Sequence, residues 1–365
     1  MKIVTIVGTR PNFMKAAPLI EEFKKYKDIK HILMHTGQHY DNEMSQLFFD
    51  DLGMPKPDEY LNAANSESRD IEVFLKSAIK EALRRHKPDL VIVVGDVNST
   101  VAGAEAAHEL GIKVAHVESG LRSFDMSMPE EVNRIQTDRI SDFLFTTEKS
   151  GNINLHKEDI VKDKVFFVGN VMIDSLLHHK KKSSSSKILQ KLKLKKLKYC
   201  VLTVHRPSNV DTKEGLENIF STLEKIQDKI KIVFPIHPRT RKNIENNRLK
   251  NKLDSMKNVV VTEPLGYLDF LWLMSNSKLV LTDSGGIQEE TTVLGIPCIT
   301  LRENTERPVT VEQGTNLLVS IDNLKVIKKA LEVIENKIKI NAKIPDLWDG
   351  KSAERIVKIL ISKFD

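Results

Sequence analysis

The chain of 365 residues has no uninterrupted apolar run of 18 residues, so no membrane-spanning helix is expected. It has two cysteines, Cys200 in "KYCVLTV" and Cys298 in "GIPCITL", both within strand-like apolar stretches. Two are too few for a disulfide framework, and neither has zinc-ligand spacing. Both read as buried thiols, with a reducing cytoplasm as the default compartment. No cluster of His, Cys, Asp or Glu falls at metal-ligand spacing, so no metal is expected. Neither GxxxxGK[ST] nor GxGxxG follows the first strand candidate, which weighs against ATPase and dinucleotide readings and leaves no cofactor implied. The opening "MKIVTIVGTRP" is broken too early for a signal peptide and reads as a strand.

Charge is unevenly placed. The net charge is +6, yet residues 180–198, "KKKSSSSKILQKLKLKKLK", hold nine lysines and no acid. Without that run the remainder is slightly acidic. The lysines have no interleaved aromatics, so neither a nucleic-acid nor a membrane surface is expected, and the run reads as a solvated connector. Hydrophobic residues make up 40% of the chain and charged residues 29%, enough to bury sizeable cores.

Short apolar runs alternate with longer amphipathic ones. Strands are expected at 2–7, 31–36, 90–94, 113–117, 143–146 and 165–168, and then at 200–204, 232–235, 259–262, 279–282 and 298–300. Helices are expected at 11–26, 68–86, 99–110, 130–140, 213–227, 266–274, 287–294, 323–335 and 353–363. Repeated β-α units rich in Val and Ile predict parallel sheets covered on both faces. The fold class is therefore α/β, with two Rossmann-like doubly wound domains facing a cleft. The expected boundaries are 1–175 for the first domain, 176–198 for the connector and 199–345 for the second domain. Residues 346–365 form a last helix with no strand after it, placed against the first domain. Ligands of such sheets bind beyond the carboxyl ends of the strands, where strand order reverses.

The residues just past each strand are accordingly the ones to inspect. After the first comes "GTRPNFMK", where Gly8 allows a tight turn and Pro11 suits a first helical position. Arg10 and Lys15 add cations beside a helix N-terminus, a diphosphate-facing arrangement that an ordinary turn with two surface cations would also give. "GDVNST" puts Asp96 past the next strand, as a cap or as a site acid. "HVESGLRS" puts Glu118 at a strand end, an expensive place for a charge without a partner or ligand. Glu130 and Glu131 open a helix in "PEEVNR", and spacing does not say which of them serves more than the helix dipole. In the second half, "VHRPSNVD" places His205 and Arg206, "FPIHPRTR" places His237 and Arg239, and "LRENTERP" supplies Arg302 and Arg307. "LTDSGGIQEE" combines Ser284, Gly285 and Gly286 at a turn, suited to a diphosphate, with Glu289 and Glu290 behind them. One helical turn, about 6 Å of rise, separates Gly286 from Glu290. Glu289 reads as solvated or structural. Cations with three carboxylates suit a substrate carrying a diphosphate at one end and a sugar at the other.

In this order, from residue 1 to about 360, "GTRPNFMKAAP", "TGQHYD", "GDVNST", "HVESGLRS", "PEEVNR", "VHRPSNVD", "TDSGGIQEE" and "ENTERP" resemble the non-hydrolysing UDP-N-acetylglucosamine 2-epimerases. The resemblance implies the glycosyltransferase-B architecture and a homodimer. It also implies interconversion of UDP-GlcNAc and UDP-ManNAc by elimination of UDP to 2-acetamidoglucal and re-addition. The family's catalytic carboxylates fall on Asp96, Glu118 and Glu131, and its histidine on His205. Substrate contacts fall on Arg10, Lys15, Phe270, Ser284, Gly285, Gly286, Glu290, which holds the ribose hydroxyls, and Arg307. Gln38, Arg69, Arg206 and His237 match a second, regulatory UDP-GlcNAc site of bacterial members. The chain departs from those members at Asn12, where they often carry an acid. It departs again at "HRPSN", where they often read "HRREN", and at Leu265, where some carry a uracil-touching glutamine.

Three other readings share many of these features. A hydrolysing epimerase would release ManNAc and UDP. A glycosyltransferase of the same fold would need an acceptor site. A UDP-sugar sensor would not need three carboxylates at the sugar end, where unneutralised acids cost affinity unless they do chemistry.

Overall fold

A computed structural model describes residues 1–37, 52–62, 71–320, 322–338 and 342–364. The chain divides into two compact units, Met1–His178 with Asp346–Asp365, and His179–Pro345.

The first unit is built on a seven-stranded parallel sheet. Its strands are β1 (Lys2–Val7), β2 (Lys30–His35), β3 (Glu59–Tyr60), β4 (Leu90–Val94), β5 (Lys113–Ser119), β6 (Phe143–Thr146) and β7 (Val165–Phe167), in the order β3-β2-β1-β4-β5-β6-β7. The central strand "LVIVV" of β4 is buried at every position, as a strand with helices on both faces must be. One face packs Val4, Ile6, Val91 and Val93 on Leu75, Ile79 and Leu83 of the helix Ile71–His86. The other packs Ile3, Ile92 and Val94 on Leu19 and Phe23 of the helix Arg10–Phe23, and on Ile356, Val357 and Leu360 of the helix Ser352–Phe364. Each such side chain, fully buried, contributes about 1.5–3 kcal/mol.

The second unit repeats the plan with six parallel strands: β8 (Tyr199–Thr203), β9 (Lys231–Pro235), β10 (Val259–Thr262), β11 (Leu279–Thr282), β12 (Cys298–Leu301) and β13 (Asn316–Val319), in the order β10-β9-β8-β11-β12-β13. Its core joins Leu202, Phe234 and Leu281 to Leu216, Phe220 and Leu223 of the helix Lys213–Gln227.

The structure adds elements that the sequence pattern does not predict: β3, β13 and helices at Lys149–Lys157, Val171–Ser183 and Pro238–Asn246. Residues 176–198 are more ordered than a solvated connector. They hold the end of the helix Val171–Ser183 and the short helix Ile188–Lys191, whose Ile188 and Leu189 are buried. Among the described residues no helix is long and apolar enough to cross a membrane.

In both sheets the order turns around at one place, between β1 and β4 and between β8 and β11. The turns leaving those four strands hold Gly8–Arg10, Gly95–Asp96, Val204–Arg206 and Asp283–Ser284.

Candidate active site

In the first unit three carboxylates gather at the ends of β4 and β5 and at the start of the helix Pro129–Ile140. That helix begins with Pro129, and its phase turns Glu130 to solvent and Glu131 inward. Glu131 is buried and accepts from the Ser123 backbone N–H at 2.9 Å, the Ser123 hydroxyl at 3.0 Å and the Phe124 N–H at 2.8 Å. Arg134, one turn along the same helix and buried, donates Nη2 to Glu131 at 2.7 Å and Nη1 to Asp96. One guanidinium thus bridges the two acids. Burial alone would raise the Glu131 carboxyl, but the Ser123 N–H and Arg134 outweigh it and hold the group below its ordinary value. Asp96 stays partly exposed, and Asn133 donates to its backbone carbonyl at 3.0 Å.

Glu118 sits where the register of β5 against β6 slips, at a φ of +76°. A bulge with a non-glycine residue in the left-handed region re-aims its side chain at a local cost. Here the carboxylate turns to Lys15, whose Nζ lies 2.6 Å from Oε1, with both side chains buried. The bulge is held by Gly120, at φ +76°, where a Cβ would lie 2.5 Å from the Gly151 carbonyl oxygen. Gly120→Ala is therefore expected to lower stability by at least about 1–2 kcal/mol from the left-handed backbone alone. Urea unfolding measures it, and an unchanged midpoint would contradict the packing. The β1 turn is fixed by Asn12, whose Oδ1 accepts from Gly8 N at 3.0 Å and Thr9 N at 3.1 Å, and whose Nδ2 donates to Val94 O at 2.9 Å. An acid at this position could not donate to that carbonyl.

In the second unit the corresponding turns converge on Asp283, buried at the end of β11. It accepts from His205 N at 2.9 Å, Arg206 N at 2.9 Å and Asn209 Nδ2 at 3.0 Å, and its Oδ1 lies 3.1 Å from His205 Nδ1. Burial would raise this carboxyl, but His205 and the neighbouring amides hold it below the ordinary range. The His205 ring is half-exposed and tilted against that of His237, with centroids 5.3 Å apart. Ser284 stands at the N-cap position of the helix Gly285–Leu294 without a side-chain capping bond, so the N–H groups of the first turn emerge where Gly285 and Gly286 stand. A Cβ on Gly285 would come within 2.5 Å of Glu306 Oε1. Glu290 is buried and accepts from Tyr267 Oη at 3.1 Å, and burial together with that anion pushes the phenol well above its ordinary value.

Of the two readings of Glu289, solvated or structural, the second fits: it is fully buried and lies 2.6 Å from Arg307 Nε. Arg307, expected among the substrate contacts, is buried with Glu289 and Glu306 as ion partners. Lys15, expected among the substrate contacts, is buried and paired with Glu118. Phe270 lies on the helix Tyr267–Ser275 and is partly exposed. Gln38, Arg69 and the side chain of Arg10 lie outside the described residues. Arg134, Asp283 and Tyr267 were not singled out in the sequence. A cation three positions after Glu131 on one helix face was the signal available for Arg134.

Residues 21–361 match the protein family described as UDP-N-acetylglucosamine 2-epimerase. The chain is 46% identical over 367 residues to the UDP-N-acetylglucosamine 2-epimerase of Methanocaldococcus jannaschii, covering 99% of each. It is 39% identical over 363 residues to the UDP-2,3-diacetamido-2,3-dideoxy-D-glucuronate 2-epimerase of Pseudomonas aeruginosa, again covering 99% of each. The crystal structure of the M. jannaschii UDP-GlcNAc 2-epimerase in complex with UDP-GlcNAc and UDP matches with a TM-score of 0.91 at 44% identity, over 99% of this chain and 100% of that one.

Proposed function

The chain belongs to the UDP-N-acetylglucosamine 2-epimerase family, and we propose that it interconverts UDP-GlcNAc and UDP-ManNAc without net hydrolysis. The observation that carries the reading is Arg134 gathering Asp96 and Glu131 at the strand ends of the first unit. The C2 hydrogen of the sugar is not acidic, so direct removal is difficult. Elimination avoids this. A carboxylate takes the C2 proton while the C1–O bond breaks, the electron pair forms the C1=C2 bond of 2-acetamidoglucal, and UDP departs with the bonding pair. Re-addition returns the UDP oxygen to C1 and delivers a proton to the other face of C2.

Two carboxylates held by one guanidinium suit proton transfer on opposite faces, and Asp96 and Glu131 are assigned to it. Glu118, oriented by Lys15, acts on the sugar hydroxyls or assists acid/base transfer. His205, oriented by Asp283, assists UDP departure. The first-turn amides at Ser284, Gly285 and Gly286 take the diphosphate, and Glu290 takes the ribose hydroxyls.

Glu290→Gln tests the nucleotide part while keeping an acceptor for Tyr267. Calorimetry is expected to show UDP binding about 10- to 100-fold weaker, the loss of hydrogen bonds to a charged group. Undiminished affinity contradicts the ribose role.

The relative that acts on the diacetamido uronate makes the sugar a question of assay. Offering both nucleotide sugars and separating the products is expected to show UDP-GlcNAc and UDP-ManNAc approaching a fixed ratio. Free ManNAc with UDP, or conversion of the uronate alone, would overturn the reading.

A further inference from the structure

His116 lies on β5, two residues before Glu118, and is fully buried. Both of its ring nitrogens meet acceptors. Nδ1 is 2.6 Å from Asp138 Oδ1, and Nε2 is 2.8 Å from the Gly95 carbonyl oxygen. A neutral imidazole has one N–H and one lone pair, so either tautomer would press a lone pair against an oxygen. Only the ring with both nitrogens protonated donates at both ends. The rival placement, with the proton on Asp138, conflicts with what surrounds that carboxylate. Its Oδ2 accepts the Gly120 N–H at 3.0 Å and lies 2.7 Å from Arg122 Nη2. Arg122 is completed by Glu158, through Nε at 2.7 Å and Nη2 at 2.8 Å. Two cations and two anions thus balance in a chain drawn from β5, the loop after it, the helix Pro129–Ile140 and the residue after the helix Lys149–Lys157, buried except at Glu158, which is partly exposed.

We propose that His116 is a positioning residue, a ring donating from both nitrogens, that with Asp138 fixes the two turns carrying Asp96 and Glu118. The links are short. Nε2–H holds the carbonyl of Gly95, whose own N–H donates to Val117 O at 3.0 Å, and Asp96 follows directly. Asp138 holds Gly120 N–H on the far side of the bulge that contains Glu118. Gly95 and Gly120 take up their positive φ freely, but Glu118 between them in the fold holds φ +76° as a non-glycine residue, so its bulge rests on outside restraint to keep its aim. The pair supplies it, and its loss lets the catalytic carboxylates drift relative to each other.

The catalytic consequence rests on the proposed epimerase reading, whereas the protonation does not. Nitrogen NMR of the whole chain with 15N-labelled histidine, at about pH 8 where an ordinary histidine is neutral, reads the ring directly. Both nitrogens of His116 are expected to carry protons, with the signal assigned by its absence in His116→Gln. An unprotonated ring nitrogen at that pH overturns the proposal. In kinetics His116→Gln, which keeps one donor, and Asp138→Asn, which removes the anion, are each expected to lower kcat about 100-fold. UDP affinity, set by the other unit, is expected to stay within twofold. Wild-type kcat in both variants overturns the positioning role, and equal losses in kcat and UDP affinity would mean general unfolding instead. A native chain with both ring N–H groups present but no turnover of any nucleotide sugar would sink the epimerase reading alone.

Discussion

Replacing Arg134 with methionine is expected to abolish epimerisation and to cost about 3–5 kcal/mol of stability, the penalty for leaving a buried ion without its partner. The magnitude follows from the geometry. Glu131 is 1% exposed, and the guanidinium supplies two of its bonds, from Nε at 3.2 Å and Nη2 at 2.7 Å. The Ser123 and Phe124 amides remain in the variant, but no cation does. Burial then dominates, and the Glu131 carboxyl moves up from its depressed position toward the neutral acid. Asp96 loses the same cation and its fixed direction. Lysine at position 134 restores charge but not the fork that reaches two carboxylates at once, so it is expected to recover stability better than turnover. Chemical unfolding with steady-state kinetics on both variants separates the two effects. Unchanged stability in Arg134→Met would show that the pair of acids does not depend on it.

Asp96→Asn and Glu131→Gln are expected to lower kcat by about 10²–10⁴, the usual contribution of a positioned acid or base. Substrate affinity is expected to change far less, because the nucleotide is assigned to groups of the other unit. The two variants need not fail alike. If each acid serves one face of C2, one variant loses proton removal from UDP-GlcNAc and the other from UDP-ManNAc. Hydrogen exchange at C2, followed separately from each epimer, resolves this. Full exchange in both variants from both epimers would remove these residues from proton transfer.

The doubly wound plan was legible because its strands are nearly uninterrupted apolar runs, β4 "LVIVV" above all. Strand β13 escaped because it opens on Asn316, a polar residue that earns its place through tertiary bonds. It accepts from Thr300 at 2.6 Å and donates to Gln288 at 2.9 Å, neither of them near it in sequence. Spacing alone leaves Glu130 and Glu131 open and only the resemblance points to Glu131; the physical reason is the helix phase, which the burial of Asn133 and Arg134 beside Glu131 reveals. The aim of Glu118 was not legible at all, because its bulge depends on Gly120 meeting the backbone of Gly151. Glu289 and Arg307 were read one at a time, while their meaning lies in the pair they form in the interior. Motif reading thus singled out acids and cations, and apart from Arg134, which lies on the helix of Glu131, the partners that orient them came from chain segments brought together only by folding.

The most direct measurement is proton NMR of UDP-GlcNAc with the enzyme in deuterium oxide. Elimination and re-addition through Asp96 and Glu131 predict that UDP-ManNAc appears with deuterium at C2, and that deuterium then enters C2 of the recovered UDP-GlcNAc. UDP-ManNAc that keeps the original proton at C2 would contradict the mechanism, and release of free sugar with UDP would contradict the activity itself.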